Sequence, residues 1–189
     1  GYRCLTVTVD TVVSGLRVRD HHNGFTLPPR LSPAAVADMA LHPAWWAGLL
    51  AGPGITFANV ERSAGAAGET VLGLAARQFD PSVTWDDIAE VRTRWPGPLL
   101  LKGAFSPADV RRARECGVDA VALSNHGGRQ LDQAWTPIRA LPEIRGAIGA
   151  DFPLFVDSGI RRGTDIAIAL ALGATGCLIG RPYLYGLGA

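Results

Sequence analysis

Lysine is almost absent from this chain. Of its 18 basic residues only Lys102 is a lysine, and the other 17 are arginines. An excess of positive charge is missing too. The balance is 18 basic against 17 acidic residues, a net +1, so there is no electrostatic case for a nucleic-acid partner. Cysteines number three, Cys4, Cys116 and Cys177, widely spaced. An odd, scattered set excludes a disulfide framework and leads us to expect buried free thiols and a cytoplasmic setting. No apolar run approaches the roughly 20 residues of a membrane span, and the opening residues do not form a signal-peptide pattern. With 48% hydrophobic and 19% charged residues, the composition is that of an ordinary soluble globular protein. No metal-ligand pattern is found.

Five apolar runs have the character of buried strands: residues 4–9, 98–101, 120–123, 153–156 and 176–179. Helical patterns with clear punctuation lie between them. Ser106, Pro107 and Asp109 supply an N-cap, a first-turn proline and a first-turn acid, and Gly117 ends that helix. Thr84 is placed to cap a helix from Trp85 to Arg94, and Thr164 to cap one running through Ala171 to a stop at Gly173. Buried strands alternating with helices imply an α/β fold with a parallel sheet, of the (β/α)8 TIM-barrel type. Eight strands are required and five are found. Residues 1–189 are therefore expected to form a partial barrel, its C-terminal part, about strands four to eight. Residues 15–81 form a long inserted loop region within it. The middle of that insertion is apolar with paired Trp45 and Trp46, which suits local packing first and contact with a membrane surface second.

The run Ser124-Asn125-His126-Gly127-Gly128-Arg129-Gln130-Leu131-Asp132 holds the most chemical information. It follows an apolar strand, at the end where barrels assemble their active sites. His126 has the pKa range of a general base. Arg129 offers a bidentate fork for a carboxylate, and the paired glycines allow backbone to approach a flat ligand. Lys102 closes an apolar strand, where an ammonium is costly to bury unless it faces something electron-rich. The loops after the last two strands carry Gly159, Arg161, Gly180 and Arg181, the amides and positive charge of a phosphate site.

This motif, with Thr8-Val9-Asp10, Leu101-Lys102-Gly103, Asp157-Ser158-Gly159-Ile160-Arg161 and Gly180-Arg181-Pro182, resembles the FMN-dependent L-2-hydroxy-acid dehydrogenases and oxidases over essentially the whole chain. Phe79-Asp80-Pro81-Ser82, Trp85 and the tryptophan-rich insertion are similar to the bacterial lactate dehydrogenase branch. The resemblance implies an enzyme that oxidises a lactate-like L-2-hydroxy acid to the 2-keto acid. His126 would act as the base, oriented by Asp10, with hydride transfer to flavin N5 favoured over Cα-proton abstraction. Arg129 and Arg17 would hold the substrate carboxylate. FMN would be met by Thr8 and Ser124 at its ring, Lys102 at the N1/C2 edge, Asp157 at the ribityl chain, and Gly159, Arg161, Gly180 and Arg181 at the phosphate.

The resemblance further implies electrons passed to a quinone or other carrier, a homo-oligomer of tetramer type, and peripheral attachment to the inner face of the membrane. An oxygen-using oxidase of the same family is the alternative, as is a catalytically incomplete barrel fragment.

Overall fold

A computed structural model describes residues 1–12, 15–24, 32–52, 80–103 and 105–189. In chain order the elements are β1 (Leu5–Thr8), α1 (Val18–His22), α2 (Pro33–Ala40), α3 (Pro43–Ala51), α4 (Trp85–Arg94), β2 (Leu99–Gly103) and α5 (Pro107–Glu115). There follow β3 (Ala120–Leu123), a 3-10 turn (His126–Gly128), α6 (Pro137–Ile148), β4 (Leu154–Val156), α7 (Gly163–Ala171), β5 (Gly176–Cys177) and α8 (Arg181–Gly188). They divide into two units: Gly1–Leu16 with Asp80–Ala189, and Arg17–Phe79.

In the first unit the five strands form one parallel sheet in the order β1-β2-β3-β4-β5, with helices between successive strands from β2 onward. Each strand neighbours the next in sequence, which is how a β/α barrel wall is built. One face packs on helices. Leu99, Leu101, Val121, Leu123, Leu154 and Val156 are buried there against Val110 and Ala113 of α5 and Leu141 and Ile144 of α6. Burying each leucine is worth about 1.5–3 kcal/mol, so this layer holds the wall together.

The opposite face presents the chemistry. In register, Thr8 lies beside Lys102, Lys102 beside Ala122, and Ala122 beside Phe155. The ladder continues past the strand ends through the amides of Val9, Ser124 and Asp157, which donate to Lys102, Gly103 and Leu123 carbonyls. Side chains alternate along a strand, so Asp10, Ser124 and Asp157, two residues beyond that row, emerge on the same face. Lys102 lies one residue inside its strand, which runs on to Gly103, rather than closing it. The last strand is likewise shorter than the apolar run 176–179, pairing only through Gly176 and Cys177.

Thr84 and Ser106 each form a reciprocal capping box, with Asp87 and Asp109. Thr164 does not cap α7. The helix begins one residue earlier, and Asp165 accepts the amides of Arg161 and Arg162 at 2.8 and 2.9 Å. A carboxylate at a helix start satisfies unpaired N–H groups and complements the dipole, which a hydroxyl inside the first turn cannot match. The thiols are free, but Cys4 is exposed just before β1, and Cys116 and Cys177 are half-buried rather than enclosed. Burial pushes the Cys177 thiol up from its ordinary value.

The second unit holds α1 to α3; residues 25–31 and 53–79 of the insertion, Phe79 of the Phe79–Ser82 run among them, lie outside the described residues. Ser32 caps α2 by accepting the Ala35 amide. Trp45 and Trp46 meet edge-on, with ring centres 5.0 Å apart, and Trp46 donates its indole N–H to Met39 O. That is local packing. Yet no residue of α3 is buried, and Leu50 is 81% exposed. Among the described residues no helix is long and apolar enough to cross a membrane.

Candidate active site

The sheet brings Asp10, Lys102, Ser124, His126 and Asp157 into one hydrogen-bonded cluster. His126 Nδ1 lies 2.7 Å from Asp10 Oδ2, and its Nε2 lies 3.1 Å from Lys102 Nζ. An ionised carboxylate only accepts and an ammonium only donates. The neutral imidazole therefore carries its proton on Nδ1 and leaves an Nε2 lone pair. Lys102 also donates to Ser124 Oγ at 2.9 Å and pairs with Asp157 Oδ2 at 3.2 Å. Its ammonium thus stays at the top of an apolar strand with three partners, which offsets the burial that made it conspicuous.

Gly103 is what lets Asp10 in. A Cβ there would meet Val9 Cγ2 at 3.2 Å and Asp10 Cβ at 3.3 Å. Beside the pair, the His126 loop is bent through left-handed backbone: φ is 52° at His126, 68° at Gly127 and 73° at Gly128. The turn is held by Asn125 Oδ1, which accepts the Gly128 amide, and by Ser124 Oγ, which accepts the His126 amide. Arg181, the first residue of α8, covers Gly127, where an added Cβ would sit 2.6 Å from a guanidinium nitrogen.

A cavity of about 450 Å³ opens beside this cluster, within the usual size of a small-molecule site. Lys102, His126, Arg129 and Asp157 line it together with Gly159, Arg161, Gly180 and Arg181. Eight of the expected residues therefore share one cavity. Positive charge from Arg161 and Arg181 gathers by the loops after β4 and β5, where glycines 159 and 180 leave open space above their backbones. The Arg161 amide is committed to Asp165, so what Arg161 offers a ligand is its guanidinium. The arginine-rich end of this lining suits an anionic group, and Lys102, His126 and Asp157 offer hydrogen-bonding partners beside it.

The remaining expected residues sit differently. Thr8 is exposed on β1 beside Lys102 in the register, and Asp10 stands behind His126 as its partner. Ser124 is 1% exposed and spends its Oγ on Lys102 and the His126 amide. Arg17 belongs to the second unit, where it pairs with Asp20 at 3.8 Å. Two contributors escaped the sequence. Asp165 was legible only as the acid in a first helical turn, and Ser158 only as the middle of Asp-Ser-Gly.

The parallel β/α wall thus carries a histidine–carboxylate pair, a half-buried lysine and an arginine-rich end at one cavity. The chain belongs to the FMN-dependent dehydrogenase family, whose model matches residues 1–189. It is 42% identical over 192 residues to an L-lactate dehydrogenase of Caulobacter vibrioides, covering all of this chain and 50% of that protein. An L-lactate dehydrogenase of Pseudomonas syringae is 42% identical over 193 residues, with the same coverage. The crystal structure of a monotopic membrane protein, (S)-mandelate dehydrogenase, superposes with a TM-score of 0.84 at 40% identity, over 99% of this chain and 50% of that one. The chain spans about half the length of the curated relatives it matches.

Proposed function

We propose that this chain carries the base, the anion site and part of the substrate clamp of an FMN-dependent enzyme that oxidises a lactate-like L-2-hydroxy acid to its 2-keto acid. One observation carries the reading. The Asp10–His126 pair fixes the imidazole tautomer so that Nε2 is the basic atom, on a residue lining the same cavity as Arg129. In this reading the Lys102 ammonium yields Nε2 when ligands bind, Nε2 takes the hydroxyl proton, and Asp10 stabilises the imidazolium that results. Arg129 holds the substrate carboxylate by a two-point fork, which sets the Cα hydrogen in line for transfer.

FMN, when bound, supplies the acceptor for that hydrogen and its two electrons. Arg161, Arg181, Gly159 and Gly180 would hold its phosphate, Asp157 its ribityl hydroxyls, and Lys102 and Thr8 its ring, with Ser124 buried behind Lys102 as a support. Lys102 places a fixed positive charge where negative charge develops. The onward acceptor is a quinone or another carrier, and the assembly a homotetramer. The exposed Trp45, Leu49 and Leu50 of α3 suit peripheral contact with the inner face of a membrane. The relative described as a monotopic membrane protein supports that contact.

Anaerobic titration of the purified flavoprotein with L-lactate, then L-mandelate, tests the proposal. Bleaching of the flavin absorbance supports it and ranks the substrates; a bound flavin that neither acid reduces refutes it. Rapid reoxidation of the reduced protein by oxygen in stopped flow would move the assignment to an oxidase. A mandelate oxidase, 32% identical with a TM-score of 0.70, gives that second reading its footing.

A further inference from the structure

Ser158 holds a backbone conformation that side chains rarely adopt, φ 70°, and spends its whole hydroxyl there. Its Oγ accepts the Gly127 amide at 2.9 Å and the Asn125 amide at 3.3 Å, and donates to Asp157 Oδ1 at 2.6 Å. The two amides flank His126, whose own amide goes to Ser124 Oγ. Three successive N–H groups of the base loop are therefore gripped alternately by two serine hydroxyls, one from the end of β3 and one from the loop after β4.

The ring then closes. Ser158 binds Asp157, Asp157 binds Lys102, and Lys102 reaches His126 Nε2. A glycine would take φ 70° without strain, so the conformation alone does not call for serine; the hydroxyl does. We propose that Ser158 is a positioning residue for the base. It fixes the left-handed turn at His126 so that Nδ1 meets Asp10 while Nε2 stays within reach of Lys102 at the cavity wall. Ser158 need not touch the substrate; it acts through His126 and, by way of Asp157, through Lys102. This inference rests on the proposed role of His126 and adds the device that sets its aim.

The test compares Ser158→Gly with Ser158→Ala in the full-length flavoprotein. Both lose the hydroxyl, but only alanine keeps the backbone strain, so the two differ in stability. Positioning predicts that both slow flavin reduction by roughly 10- to 100-fold, because small misplacements of a reacting group are that costly. Substrate affinity should move less than about threefold, since the carboxylate clamp is untouched. A glycine variant with wild-type reduction kinetics, beside a slow and unstable alanine variant, would overturn the proposal in favour of a purely structural turn.

A second readout is independent of turnover. The Nδ1–H proton resonance of His126 and the exchange protection of the Gly127 amide should both weaken in Ser158→Gly. An unchanged imidazole resonance and unchanged protection would also overturn the proposal. If the wild-type protein reduces its flavin with no 2-hydroxy acid, the enzymatic reading fails, while these two signals still decide the role of Ser158.

Discussion

Nδ1 of His126 lies 2.7 Å from Oδ2 of Asp10, a residue 116 positions earlier in the chain. The contact selects one tautomer and one ring orientation. His126→Asn keeps a polar group of similar reach but removes the proposed base. Flavin reduction should fall by about 100- to 10,000-fold, the usual worth of a general base, with FMN still bound. Stopped-flow absorbance under excess substrate measures it, and a rate within threefold of wild type would remove His126 from the role.

Arg129 is exposed and lines the cavity beside His126. Arg129→Met keeps the stem and deletes the fork. Loss of a charged, bidentate partner is worth about 1.5–3 kcal/mol, so substrate binding should weaken by roughly 10- to 150-fold. An unchanged dissociation constant in a reduction-rate titration would show that the carboxylate is held elsewhere.

Gly127 combines φ 68° with a guanidinium nitrogen of Arg181 poised over its α-carbon. Gly127→Ala meets the left-handed penalty of about 1–2 kcal/mol and pushes Arg181 aside. Since Arg181 is assigned to the phosphate, FMN affinity should drop roughly tenfold, as fluorescence titration would report. A flavin affinity equal to wild type would separate Arg181 from the anion site.

Acid should act through Asp165. The Arg161 and Arg162 amides hold its carboxyl below the ordinary value of 3.8. A lowered folded-state pKa contributes stability that is fully present above the unfolded value and lost as pH falls through the folded one. Asp165→Asn should therefore destabilise the start of α7 at neutral pH. Its difference from wild type should begin to shrink as the pH falls to about 3.8, the reference carboxylate value, and vanish below the lowered folded-state value. Exchange rates of the Arg161 amide in both proteins across that range provide the measurement; a gap that persists in acid would contradict the assignment.

Much of this was legible beforehand, for physical reasons. Apolar runs such as 120–123 are strands because nothing else buries them on both faces, and glycines 117 and 173 mark helix ends through their positive φ. Lys102 stood out as the sole lysine in an apolar strand, and the site brings it together with His126 and Asp157. What stayed hidden depended on hydroxyl and carboxylate geometry between loops. Thr164 and Asp165 are both capping residue types, and only the path of residues 161–162 decides between them. Ser158 has no sequence signal for its role, because the amides it grips lie more than thirty residues away.

The strand order has one more consequence. Asp10 follows β1 and His126 follows β3, with β2 between them. Neighbouring strands run about 4.8 Å apart, so two strand widths, roughly 10 Å, separate the backbones that a 2.7 Å hydrogen bond must join. The two side chains and the hydrogen bond between them span most of that gap, and the loops supply the rest. The histidine–aspartate distance thus depends on the spacing of three strands: a core substitution that shifted one of them, far from any ligand, would lengthen it and disturb the pair.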